Sequence, residues 1–200
     1  MYCRARIINF LKLNKQNDGF SLAELMMVVA VMGIVAAIAV PGFLRWLPDY
    51  YLKSAARDLF SNMQLTRIGA IKNSSDWAIV FDTTNNRYLI CSDWGADNSW
   101  SGTGDNTIEK AVNLTGDLSV YKSGEIDFGH GAASTNATEE GGSFPDDEVS
   151  FGSNVATFNS RGTGSAGYTY FDNKNDKAYA VGKTSSGSVR CVRWADSEWK

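Results

Sequence analysis

The sequence predicts an α+β fold, a long N-terminal helix whose second half packs on antiparallel β-sheet. Two observations carry that reading. Residues 25–44 hold no charged side chain, and beyond them apolar positions recur every three or four residues to about Lys72. After Asn73-Ser74-Ser75 that period gives way to short β-branched and aromatic runs separated by Gly, Asn, Asp and Ser. With 19 glycines against 3 prolines in 200 residues, the C-terminal part suits a turn-rich β domain.

Residues 1–19 carry Arg4, Arg6, Lys12 and Lys15 against Asp18, a basic segment ahead of the apolar run. The uncharged stretch from Leu25 to Leu44 would span roughly 30 Å as a helix, the thickness of a bilayer's hydrocarbon core. A basic flank places that end in the cytoplasm and the bulk of the chain on the other side. The run is too long for a typical secretory h-region and lacks an A-x-A-like cleavage site, although hydropathy alone also describes a plain signal anchor.

Glu24 argues for more than an anchor. A carboxylate at the edge of an apolar span costs about 2.5–3.5 kcal/mol or more unless paired, and no basic residue lies within one helical turn of it. Cleavage between Gly19 and Phe20 would create an α-amine at Phe20. The amine of one subunit could then meet the Glu24 carboxylate of a neighbour.

Gly19-Phe20-Ser21-Leu22-Ala23-Glu24-Leu25, followed by an unbroken apolar segment, resembles the class III signal of type IV pilins and type II secretion pseudopilins. That resemblance implies a prepilin peptidase that cuts after Gly19 and N-methylates Phe20, with Glu24 as the assembly residue and Pro41 at the family's helix proline. It divides the chain into a leader (1–19), a transmembrane assembly helix (20–44), an amphipathic continuation (45–75) and a periplasmic β-rich domain (76–200). It implies a pilin-like fold and a single-pass inner-membrane protein with a cytoplasmic N-terminus. The implied partners are other pilins or pseudopilins in a helical filament, the prepilin peptidase and the inner membrane. No cofactor or metal is implied, and no catalysis.

Within the helix, Pro41-Gly42 should kink or loosen the backbone, and Pro48 is a second weak point. Leu52, Ala55, Ala56, Leu59, Met63 and Leu65–Ile68 form the expected core-facing stripe, with Lys53, Arg57, Asp58, Asn62 and Arg67 opposite. Trp77–Asp82 and Arg87–Ser92, joined by Thr83-Thr84-Asn85-Asn86, read as a hairpin. Further strands are expected at Ile108–Leu114, Leu118–Lys122, Glu125–Phe128, Val149–Phe151, Ala156–Phe158, Tyr168–Phe171, Ala178–Val181 and Ser188–Trp194, with a polar insert between Gly129 and Asp147.

Phe158-Asn159-Ser160-Arg161-Gly162 ahead of an aromatic strand, and a final strand Gly187–Arg193, resemble the GspH/FimT group of minor pilins and pseudopilins. Ser188 stands where that group's last strand has its first arginine. The resemblance implies a minor subunit that primes or caps a type IV pilus or a type II secretion pseudopilus.

Other chemistry is weighed residue by residue. In an extracytoplasmic domain Cys91 and Cys191 favour a disulfide over two free, partly buried thiols. Three cysteines without CxxC spacing exclude a zinc ribbon, and one histidine, His130, without a nucleophile elbow disfavours hydrolase chemistry. Asp172–Asp176 has Lys174 where a calcium ligand would stand and reads as a turn. The acidic cluster Glu139, Glu140, Asp146, Asp147 and Glu148 reads as a solvated loop. A net charge of −3 disfavours a general nucleic-acid binder. Residues 177–200 are locally basic, so Arg190 and Arg193 are the candidate DNA contacts of an alternative reading, a DNA-binding minor pilin for DNA uptake. Strand alternation puts those two arginines on opposite faces, and the favoured reading of them is a solubilised edge strand.

Overall fold

The computed structural model describes residues 19–102, 104–115, 126–138 and 141–200. The basic segment before Gly19, the expected strand at 118–122, Glu125, Glu139 and Glu140 lie outside them. The chain divides into two compact units between Gly42 and Phe43, one residue after Pro41.

One helix, α1 (Leu22–Asn73), runs the length of the apolar and amphipathic segments. Its helical assignment continues through Pro41 and Pro48, where a break or loosening is expected from the missing backbone donors. It stops at Asn73 because Ser74 takes a left-handed conformation (φ 52°). The N–H of Ser74 then bonds the Ile71 carbonyl at 3.3 Å and that of Ser75 bonds the Ala70 carbonyl at 3.2 Å, a Schellman cap.

In the first unit every described residue from Gly19 to Gly42 is exposed. In the second, α1 buries Leu52, Ala55, Ala56, Leu59, Met63 and Ala70. The expected stripe needs two corrections. Leu65 and Ile68 are exposed, whereas Asn62, expected on the polar side, is buried. Asn62 is tolerated there because its Nδ2 donates to the Tyr88 hydroxyl at 2.7 Å and its Oδ1 accepts from Lys110 Nζ at 3.2 Å.

The β-structure forms two antiparallel sheets. The first contains β1 (Trp77–Asp82), β2 (Arg87–Asp93), β3 (Thr107–Asn113) and β5 (Val155–Phe158), in the order β3-β2-β1-β5. The second contains β4 (Asp127–Phe128), β6 (Gly167–Asp172), β7 (Ala178–Lys183), β8 (Val189–Ala195) and β9 (Glu198–Trp199), in the order β4-β6-β7-β8-β9. The β1–β2 hairpin turns where expected: Asn85 N donates to Asp82 Oδ1 at 3.1 Å, and Arg87 Nε reaches Asp82 at 2.8 Å. The expected strand at 149–151 reduces to a single bridge between Val149 and Thr169, followed by a 3₁₀ turn at Gly152–Asn154. The β9 strand is an addition to the expected set.

Strand alternation sorts the core. Ile79, Phe81, Tyr88 and Ile90 join Leu59, Met63, Phe158, Phe171 and Val181 in a main cluster between α1 and the sheets. Their sequence neighbours Ala78, Val80, Leu89 and Cys91 form a second cluster with Val155, on the other face of the first sheet, and Trp100 packs on it. Trp100 belongs to a loop pinned by Asn106, whose Nδ2 donates to the Trp94 and Ser99 carbonyls at 2.7 Å and whose Oδ1 accepts from Gly102 N at 2.7 Å. Gly102 sits at φ +68° against Leu89, where a Cβ would lie 2.7 Å from Leu89 Cδ1.

The expected disulfide is not formed: Cys91 and Cys191 are both free. The reason is topological. Cys91 belongs to the second cluster on one side of the first sheet, while Cys191, in the second sheet, packs against the main cluster on the other side. Burial raises both thiol pKa values, that of Cys91 to about 11.

Candidate functional site

The N-terminal site begins at the first described residues. Gly19 has open space around it, and Phe20 is 83% exposed. Ser21 is the residue before the helix, and its hydroxyl accepts from the Glu24 backbone N–H at 3.2 Å. Glu24 reciprocates, its Oε2 accepting from the Ser21 N–H at 3.0 Å. This is a capping box, which satisfies two helix-terminal donors that have no intrahelical partner. The carboxylate at the head of the apolar helix therefore has a local hydrogen-bond partner, although no cation among the described residues pairs with its charge. The S-x-x-E spacing carried that signal in the sequence.

From Leu25 to Gly42 the helix is apolar on all sides and exposed on all sides. Leu25, Met26, Met27, Val29, Met32, Ile34 and Ile38 are each more than half exposed. By length and composition this helix is able to cross a membrane, and none of its apolar window is buried against the protein.

The other candidates sit elsewhere. Arg190 and Arg193 are both exposed on β8, three positions apart, so strand alternation puts them on opposite faces. Arg193 pairs in register with Tyr179 of β7, facing residues of α1 across a cleft of about 570 Å³. Arg190 pairs with Gly182 and lines one cavity with Tyr168 and Thr184 and another with Lys53, Arg57 and Tyr179. Sequence reading missed the α1 side of the Arg193 cleft. Its signal was the i, i+4, i+7, i+11 spacing of Trp46, Tyr50, Lys53 and Arg57, one face of a helix.

His130 stacks flat on Phe144 at 3.9 Å, and its Nδ1 lies 2.6 Å from Glu148 Oε1. Burial raises the Glu148 pKa, and the His130 contact draws it back down. The Asp172–Asp176 segment is the β6–β7 turn: Lys174, the cation that spoils a calcium loop, reaches Asp127 at 2.6 Å, and Asn173 Nδ2 donates to Asp49 at 2.7 Å. Among the described residues no group of three or more His, Cys, Asp and Glu side chains is placed to hold a metal ion.

Comparison with known proteins bears on the N-terminal site. Residues 14–40 match the prokaryotic N-terminal methylation motif. The type IV major pilin protein PilA of Myxococcus xanthus (strain DK1622) is 54% identical over 35 residues, 18% of this chain and 16% of that protein. The minor pseudopilin EpsH from the type 2 secretion system of Vibrio cholerae aligns with a TM-score of 0.45 at 15% identity, covering 70% of this chain and 94% of that one. The chain thus spans about one-sixth of the length of the curated pilin that it matches. Over the segment that holds Gly19, Phe20 and Glu24, this chain is type IV pilin-like.

Proposed function

We propose that this chain is a structural filament subunit of the minor pilin or pseudopilin type, which primes or caps a type IV pilus or a type II secretion pseudopilus. The observation that carries the reading is a Gly19-Phe20 junction standing directly before a capped, exposed and uncharged helix, within a methylation motif. In this reading a prepilin peptidase cuts after Gly19 on the cytoplasmic face and methylates the new Phe20 amine. The helix then holds the subunit in the inner membrane as a single span, with residues 76–200 in the periplasm.

Assembly follows from electrostatics. The Phe20 amine of one subunit supplies the cation that Glu24 of its neighbour lacks, and it does so only at one stagger of two parallel helices. A carboxylate has about four acceptor sites, so the Ser21 N–H on Oε2 leaves others for the incoming amine. Apolar side chains around the whole circumference of the helix allow transfer from lipid to neighbouring helices with little change in solvation, so the ion pair selects the register.

Mass spectrometry of the protein taken from its native membrane tests the reading. A terminus at N-methylated Phe20 is expected, and an intact Met1 terminus in a host that has the peptidase overturns it. The DNA-uptake alternative predicts a mobility shift of duplex DNA that Arg190→Gln and Arg193→Gln weaken together. Strand alternation, which puts the two arginines on opposite faces of β8, argues against such a joint contact.

A further inference from the structure

The second unit carries a basic cleft on the part of α1 that follows the uncharged segment. Lys53 and Arg57 line it from the helix, and Arg193 lines it from β8. All three side chains are exposed. Tyr179 sits among them: burial raises its hydroxyl pKa while Arg193, Arg57 and Lys177 pull it down, so the positive charges converge on one place. Among the described residues Asp49 is the one acid that lines the cleft, and it is engaged by Lys177 and by Asn173. Three cations are left facing the opening, on a chain whose net charge is negative.

The floor of the cleft is aromatic. Trp46 and Tyr50 lie 5.2 Å apart, each about half exposed. Trp46 is two residues beyond Leu44, the last residue of the uncharged run, and Lys53 is nine beyond it, roughly 13 Å along a helix. Tryptophan and tyrosine with a polar edge concentrate where acyl chains meet headgroups, and lysine or arginine stems extend from there to phosphates. A soluble anion would need the cations but not the aromatic floor or its place beside an apolar span.

We propose that this cleft binds the phosphodiester headgroup of an anionic phospholipid, with Lys53, Arg57 and Arg193 around the phosphate and Trp46 and Tyr50 against the upper acyl and glycerol region. The site would set the depth at which the subunit waits in the bilayer before assembly. The inference rests on the membrane-anchored reading above and not on the identity of the filament.

The test uses the full chain, extracted in mild detergent and titrated with phosphatidylglycerol, phosphatidylcholine, inorganic phosphate and duplex DNA, with bound lipid counted by native mass spectrometry. Phosphatidylglycerol is expected to be retained over phosphatidylcholine. The K53Q/R57Q/R193Q variant should lose that preference by roughly 100-fold at low salt, since each basic group near an anionic surface contributes about a fivefold effect. A K72Q/R161Q/K200Q variant changes net charge equally at exposed sites away from the cleft and should keep the preference. Circular dichroism of both variants checks that the fold is intact.

Equal retention of the two lipids, or equal losses in both triple variants, overturns the proposal. Inorganic phosphate competing as well as the lipid assigns the cleft to a free anion, and DNA binding abolished by K53Q/R57Q/R193Q assigns it to nucleic acid. Either result also overturns it. The Phe20 terminus is read from the same spectra, so an unprocessed chain with a selective cleft fails the filament reading alone, and a processed chain without selectivity fails the lipid site alone.

Discussion

The two halves of α1 are opposite in exposure, and the more apolar half is the exposed one. Ile34 and Ile38 of the first half are 65% and 77% exposed, while Leu52, Leu59 and Met63 of the second are fully buried. The pattern explains the difference. The second half confines its buried positions to one stripe, which a sheet can cover, and puts Lys53, Arg57 and Asp58 on the exposed side. The first half is apolar around its full circumference, and no single face of one domain can cover that. Such a surface needs a different solvent, lipid or the same helix of other copies. Apolar composition alone does not say which half builds the domain; the distribution of the few polar residues does.

The sharpest test of that contrast is a pair of truncations. Leu59→Ala should destabilise the second unit by about 2–5 kcal/mol, the loss of a fully buried leucine and the cavity it leaves. Ile34→Ala should leave that stability within about 0.5 kcal/mol. Urea unfolding of the detergent-solubilised chain measures both. An Ile34→Ala cost near that of Leu59→Ala would mean that the first half is part of the folding unit.

The buried half also contains a charge conflict, which makes the next effect an expected gain. Among the described residues Arg67 Nε is buried with no hydrogen-bond partner, and it lies near Lys183, whose Nζ is likewise buried and has only the Phe158 ring at 4.3 Å. Burial first, and Arg67 second, lower the Lys183 pKa to about 8. A lysine depressed in the folded state is bound less tightly to its proton there than in the unfolded chain. Stability should therefore rise as pH increases from about 8 towards the ordinary lysine value, and stay level below 8. Lys183→Met should abolish that slope and stabilise the fold at pH 7 by about 1–3 kcal/mol, the desolvation relief less the lost cation–π contact. Denaturation midpoints between pH 7 and 10 check the sign. A slope that persists in the variant would assign it to another group.

Tyr88→Phe probes the polar exception in the buried stripe. It removes the hydroxyl that receives Asn62 Nδ2 and should cost about 1 kcal/mol, whereas the double change with Asn62→Leu should recover part of it. Equilibrium unfolding of the single and double variants gives the coupling; no recovery would show that Asn62 is held by Lys110 and its own turn instead.

The smallest effect on stability is at the head of the exposed half, and it separates two roles of Glu24. Glu24→Gln keeps a capping box and loses the charge, while Glu24→Ala loses both, fraying the first turn by about 0.5–1 kcal/mol. If the carboxylate pairs with a neighbour's Phe20 amine, both variants should reach the membrane and both should fail to crosslink into filaments. Incorporation rescued by Gln alone would leave Glu24 as a cap.

Several features were legible before any coordinates. A charge-free run of helical length, the Gly19-Phe20 junction, the S-x-x-E box and the β1–β2 hairpin are all local patterns, and local patterns are set by backbone geometry and by the period of the side chains. The sequence reading found the run, the junction and the hairpin, and overlooked the box although it was there to read. What it could not decide is which distant residues share a space. Cys91 and Cys191 are both strand cysteines and look like partners until the first sheet is seen to lie between them. Asn62 looks solvent-facing until Tyr88 is placed above it. Arg193 joins Lys53 and Arg57, more than 130 positions away in the chain, only because β8 pairs with β7 in the register that sets Arg193 opposite Tyr179. Sheet order and register come from the packing of the whole core, a sum over contacts that no single segment contains, so the secondary structure was largely readable from the chain and the basic cleft only from the tertiary structure.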